Sequence, residues 1–268
     1  MTVSRRGAGG WRTGPAAWAA AYRLPRAVGV ALGLTLPLPA AAQQWPLHSM
    51  DRPRPQVVDP GPEPSPAPPP SDALVLFAGK DLSEWQSEDG ARAPWIVRDG
   101  YVEVAARGGI VTKRSFGSVQ LHIEWATPTP PSGEGQERGN SGVFLMWHYE
   151  IQVLDSYHND TYPDGQAAAV YGQTPPLANA SRPPGQWQTY DIVFHRPHFA
   201  ADGSVRDSAR VTVFHNGVLV QDNTTITGWT AHEHRASYAP HADRLPLMLQ
   251  NHGAPVRFRD IWVRELPE

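Results

Sequence analysis

Apolar residues in this chain recur mainly at every second position, in short runs separated by turn residues. From Val119 to Trp125 the alternation is strict, with Val119, Leu121, Ile123 and Trp125 on one side and Gln120, His122 and Glu124 on the other. A period of two belongs to a strand with one buried face. Gln188 to His195 repeats it, placing Tyr190, Ile192 and Phe194 together. Further strands are predicted at Leu74–Phe77, Trp95–Val97, Tyr101–Val104, Ser141–Met146, Tyr149–Leu154, Val211–His215, Val218–Val220, Leu247–Asn251 and Val256–Leu266. Asp99-Gly100 and Asn216-Gly217 join neighbouring runs and carry the residues that tight hairpin turns demand. No segment shows a convincing amphipathic helix. Many short strands with turn residues between them predict an all-β fold, a two-sheet antiparallel jelly-roll sandwich in one domain from Ser71 to the C-terminus.

The chain before Ser71 follows a different pattern. The first 42 residues hold five arginines and no acid, then an apolar stretch from Ala27 to Leu38 and the small-residue run Ala40-Ala41-Ala42. This is the layout of a secretory signal peptide cleaved after Ala42, which implies export to the periplasm or beyond the cell. The apolar stretch is short of the roughly 20 residues that span a bilayer, so no membrane-spanning segment is expected in the mature chain. Residues 43–70 are rich in proline, poor in apolar side chains, and read as a disordered spacer. Without the five arginines, the 23 basic residues fall to 18 against 26 acidic, a net charge of −8. That balance, with no basic stripe, argues against nucleic acid as a partner. There is no cysteine, which excludes disulfides and thiolate metal sites and leaves the fold to its apolar core.

Polar residues concentrate in the middle of the domain. On the predicted Tyr149–Leu154 strand, Glu150 and Gln152 share the face opposite Tyr149, Ile151 and Val153. With the apolar side on the core, the carboxylate and amide lie on an outer surface, where they suit sugar hydroxyls. A plain solvated strand face is the competing reading. Trp147, at the turn between two strands, is the tryptophan best placed to stack on a sugar ring. His232-Glu-His234, with His241 nearby, sits in an irregular stretch with no pattern to fix metal-ligand geometry, and is read as a loop.

Eight runs together resemble a known family. They are Leu76–Trp85, Arg138–Leu145, Tyr149–Ser156, Val170-Tyr171-Gly172, Trp187–Ile192, Val213–Gly217, Leu249–Gly253 and Val256–Val263. In order and spacing they resemble the 3-keto-disaccharide hydrolase domain, over about Leu74 to Leu266. Two positions depart from the family pattern: Ala168 stands where glycine is expected, and Asn251 where aspartate is common beside the histidine. The resemblance implies a concanavalin A-like jelly roll that cleaves glycosides already oxidised to a ketone at C3.

Such a ketone acidifies the C2 proton. A base removes that proton, an electrophile or donor holds the enolate at the C3 oxygen, and the aglycone leaves C1. On the resemblance, His252 and His215 are the candidate bases and Arg138 the enolate stabiliser. Asn140, Glu150, Gln152, Asp155, Tyr171, Trp147 and Gln250 would bind substrate. A divalent metal ion is compatible with this chemistry, with Glu150, Asp155 and His252 as candidate ligands. Two other readings compete: a non-catalytic carbohydrate-binding module of the same fold, and a retaining glucanase. The latter needs paired carboxylates about 5–5.5 Å apart, and the strand offers Glu150 followed by Gln152.

Overall fold

The computed structural model describes residues 45–63, 68–105 and 108–267, all within one compact unit that starts at Gln44. The expected signal peptide, 1–42, lies outside the described residues. Two antiparallel sheets stack on a shared core, as the alternation predicts. The larger runs Val218–Thr225, Arg210–His215, Gln188–His195, Val119–Ala126, Arg257–Glu265, Tyr101–Glu103, Ile96–Arg98, and Leu74–Phe77 also pairs with Arg257–Glu265. The smaller runs Trp85–Ser87, Ile110–Phe116, Leu245–Leu249, Ser141–Leu145, Tyr149–Val153. Val119, Leu121, Ile123 and Trp125 from one sheet and Val143, Leu145, Tyr149, Ile151 and Val153 from the other are all buried in one core. Trp125 meets Tyr190 edge-on at 5.2 Å, and Tyr149 lies 5.8 Å from Phe194. Trp125 and Tyr190 belong to neighbouring strands of the larger sheet, whereas contacts like that of Tyr149 with Phe194, from opposite sheets, hold the sandwich together without disulfides.

Ile110–Phe116 is a strand that the alternation does not reveal. Its register against Leu245–Leu249 slips between Pro246 and Met248, so Lys113 and Arg114 are both exposed in succession. A bulge of this type erases the period of two while the ladder continues on either side.

The spacer reading of 43–70 is corrected over residues 45–63. Gln56–Val57 pairs in parallel with Ala178–Asn179. Arg54 forms an ion pair with Asp160, and Arg182 donates to the carbonyls of Gly61 and Pro62 at 3.3 and 3.2 Å. Gln56–Val57 is extended, and an extended chain docks wherever charged side chains meet its carbonyls. Among the described residues no helix is long and apolar enough to cross a membrane.

Candidate active site

The Ser141–Leu145 and Tyr149–Val153 hairpin sets up the site. Its turn residues, Met146 and Trp147, both take positive φ, 49° and 62°, the backbone of a tight primed hairpin turn without the glycine such turns favour. Tyr149, Ile151 and Val153 turn into the core, so Glu150 and Gln152 face outward, as expected. They are not solvated, however. The chain from Ala167 to Thr174 returns along the Tyr149–Val153 edge: Ala168 N–H donates to the Gln152 carbonyl at 2.9 Å and Tyr171 N–H to the Glu150 carbonyl at 3.3 Å. From the other side, Thr230 N–H donates to the His148 carbonyl, and Thr230 Oγ1 accepts from Glu150 N–H at 3.0 Å.

These segments enclose a cavity of about 230 Å³ lined by Asn140, Glu150, Gln152, Tyr171, His232 and His252, with Phe144, Gln250 and Thr230 completing the wall. Glu150 lies at its base, and burial pushes its carboxyl up to about 8, so it is neutral at pH 7. The Ser141 carbonyl can only accept, so the Gln152 amide nitrogen belongs on that side. It donates there at 2.9 Å and to Glu150 Oε1 at 3.1 Å. Gly142 makes room for this arrangement: a Cβ there would collide with the Glu150 carboxyl and lie 2.9 Å from the Phe144 ring. Asn140 Nδ2 donates to the Gln136 carbonyl at 2.7 Å. Gln250 Oε1 has no hydrogen-bond partner among the described residues.

Tyr171, on the wall formed by Ala167–Thr174, joins it to the second wall, the loop that carries His232. Its hydroxyl lies 2.8 Å from Tyr162 Oη and 3.0 Å from His232 Nδ1, and burial raises its pKa. His252 is exposed at the rim. Beside it, Asn251 Oδ1 accepts the Gly253 N–H at 2.9 Å, a turn contact that aspartate would make equally well.

Three expectations are corrected. His215 is 1% exposed in the core, stacked on Trp125 at 5.7 Å and edge-on to Tyr190 at 5.0 Å. Burial, aided by Arg182, pushes the ring down to about 3, and Gln188 Oε1 lies 3.2 Å from its Nε2; it packs and does not face the cavity. Arg138 is held by Asp155 Oδ2 at 2.7 Å and by the Tyr157 carbonyl at 2.8 Å, outside the lining. Asp155 is occupied by Arg138 and the Tyr157 N–H. The candidate metal ligands therefore do not converge, since only Glu150 and His252 of the three reach the cavity. Among the described residues no cluster of three or more His, Asp or Glu has metal-binding geometry. The residues present do not fit a protein-held metal ion.

His232, Thr230 and Phe144 belong to the cavity and were not among the expected site residues. Trp147 does not line it, but packs behind it on Phe144, Met248 and Val111. A larger cleft of about 540 Å³ lies at Lys80, Arg92 and Lys113. It holds no histidine, and its one acid, Asp81, accepts the Ser83 N–H at 2.8 Å.

This single-acid cavity on a sandwich agrees with comparison to known proteins. Residues 72–264 match the model of the 3-keto-α-glucoside-1,2-lyase-like domain. The chain belongs to this family. It is thereby a glycoside-acting domain, as the eight sequence runs imply. A solved structure from Parabacteroides distasonis ATCC 8503, described as a "putative glycosyl hydrolase", is 46% identical with a TM-score of 0.72. That match covers 76% of this chain and 94% of the other. A second structure from the same organism and with the same description is 20% identical, TM-score 0.53, over 73% and 94% of the two chains. At that identity the likeness concerns the fold alone. No protein of curated function matches the chain.

Proposed function

We propose that the chain cleaves the glycosidic bond of 3-keto-glycosides by C2 proton abstraction and elimination of the aglycone, followed by hydration. The observation that carries this reading is that the cavity lining contains one carboxyl group, Glu150, held neutral by burial, together with histidines and a tyrosine. A two-acid glycosidase needs a second carboxyl across the sugar, and among the described residues none lines this cavity. Elimination needs one base and one donor.

In this reading His252 takes the C2 proton from the rim. The C2–H electron pair moves into the ring, and charge develops on the C3 oxygen. There the neutral Glu150 carboxyl donates a hydrogen bond, since an acid kept protonated at pH 7 suits an enolate. Gln152 fixes that carboxyl through its other oxygen. The enolate then re-forms the C3 ketone and expels the C1 substituent, leaving a C1–C2 double bond, and the departing oxygen takes up the proton that His252 removed. Water adds across the double bond and gives the free 3-keto sugar. Asn140, Gln250 and Tyr171 bind hydroxyls, and Phe144 supplies the apolar wall.

The test is to incubate the protein with a 3-keto-glucoside and with its unoxidised parent, following aglycone release. Release from the keto sugar alone is expected, and His252→Ala should lower kcat by about 10²–10⁴-fold, the scale of general-base catalysis. Binding of both sugars without release would sink the reading in favour of a carbohydrate-binding module.

A further inference from the structure

We infer that the segment preceding the family domain is a working part of the active site, with His48 as a positioning residue for the Tyr171–His232 pair. The matched family domain begins at residue 72, yet residues 45–52 pack behind the cavity. Pro46 to Ser49 form a turn in which His48 takes φ 56°, a left-handed conformation that a non-glycine residue rarely adopts. The turn aims both the backbone and the ring of His48 at the same buried acid. His48 N–H donates to Asp164 Oδ2 at 3.2 Å, and Nδ1 lies 3.4 Å from Asp164 Oδ1. The ring lies 4.1 Å from Tyr162 and 5.4 Å from Tyr171, centroid to centroid. Its Nε2 donates to the backbone carbonyl of His232 at 2.9 Å.

His48 therefore ties together the two walls that meet at the Tyr171 hydroxyl. Asp164 belongs to the first wall, and its backbone carbonyl accepts the Gly172 N–H at 2.8 Å. His232 belongs to the second, which is an exposed loop outside any strand. Other contacts of the segment run the same way. Arg52 donates to the Gln173 carbonyl at 3.0 Å, and Arg235, three residues past His232, donates to the Trp45 carbonyl at 2.8 Å. Gly172 lacks a Cβ where Leu47 approaches; an added one would lie 3.1 Å from Leu47 Cδ1. Without the segment, His232 keeps its contact to Tyr171 but loses the anchor on its own backbone. Precise placement of groups around a reacting sugar is the part of catalysis most sensitive to such loosening.

This inference rests on the reaction proposed above, so its test has a readout that does not need turnover. In the full chain, backbone hydrogen exchange over residues 228–236 is compared for the parent, His48→Ala and His48→Gln, alongside kcat and KM on the 3-keto-glucoside. The glutamine keeps a donor where Nε2 stood. Expected for His48→Ala is exchange at least ~10-fold faster in that loop, with Val119–Ala126 unchanged, because only local opening is affected. Its kcat should fall by about tenfold with KM within about threefold, the pattern of an interaction felt in the transition state. His48→Gln should restore loop protection and most of kcat. Unchanged loop exchange in His48→Ala overturns the inference, as does faster exchange with unaltered kcat. If His48→Ala unfolds globally, the decision passes to His48→Gln, whose loop must then be protected as in the parent. If the parent itself shows no turnover, the proposed reaction falls while the exchange comparison still decides whether the segment holds the loop.

Discussion

At the scale of single residues, the decisive fact is that one carboxyl is almost wholly buried with no cation beside it among the described residues. Glu150 is 4% exposed, and burial alone pushes it up to about 8, whereas a neighbouring cation would have lowered it. The acid form is the one the proposed enolate requires, so kcat/KM should decline as pH rises through about 8. Glu150→Gln keeps a neutral donor and should erase that decline while costing about tenfold or less. Glu150→Ala removes the donor and should cost about 10²–10³-fold, the usual scale for an oxyanion-stabilising group. A pH–rate series on the three proteins checks this. If the parent's rate instead climbed through pH 8 and glutamine were as damaging as alanine, Glu150 would be the base. The sequence singles out Glu150 as a candidate site residue but not for this role, because its environment is made by segments distant in the chain.

At the scale of elements, the hairpin from Ser141 to Val153 shows what a strand pattern can and cannot say. Alternation placed Glu150 and Gln152 outward because Tyr149, Ile151 and Val153 had to be inward, and the core bears this out. What period two cannot encode is the cover, which comes from Ala167–Thr174 and from Thr230–His232, neither of them a strand. His232 was visible as part of a His-Glu-His run, but only the Thr230, His48 and Tyr171 contacts make it part of the cavity. His215 was misread for a related reason: Asn216-Gly217 marks a hairpin correctly, and nothing local says which way the histidine beside it points. The glycine expected at Ala168 is explained by its φ of 66°, a left-handed position where alanine is strained but its methyl is fully buried in the core. Gly142 carries the strongest element-level requirement. Gly142→Ala would push a methyl into the Glu150 carboxyl and the Phe144 ring, and overpacking of this kind costs about 1–3 kcal/mol. The expected outcome is a lower unfolding midpoint together with loss of most activity, measured by thermal denaturation and turnover. Retained activity in Gly142→Ala would mean that the Glu150 position is not critical.

At the scale of the whole molecule, buried titratable groups on both sheets set how stability depends on pH. His215 and His148 are held down to about 3 and about 4, chiefly by burial. The unfolded chain protonates such rings near 6.5 while the folded chain does not, so each makes stability fall as pH drops below 6.5. Glu150 acts in the opposite sense: raised from 4.5 to about 8 by burial, it contributes stability that is lost as pH rises across that window. On the outer face of the larger sheet, burial opposes charge on His122, but hydrogen bonds to Asp191 and Glu124 outweigh it and raise the ring to about 9. Its contribution is complete below 6.5 and lost as pH rises through 9. Between 4.5 and 6.5 the two histidines therefore outnumber Glu150, and stability climbs with pH. Between 6.5 and 8 Glu150 and His122 act together, and stability falls more steeply than it climbed. The unfolding free energy should accordingly peak near pH 6.5, a value that follows from these four groups and not from the net charge. Denaturant unfolding from pH 5 to 8.5 checks it. Glu150→Gln and His122→Gln should each remove about half of the alkaline slope, and their effects should add because the two groups lie on different sheets. A flat profile above pH 6.5 in the parent would show that neither group changes its proton affinity on folding. Glu150 would then be ionised in the cavity at neutral pH, and the neutral-donor role proposed for it would fall as well.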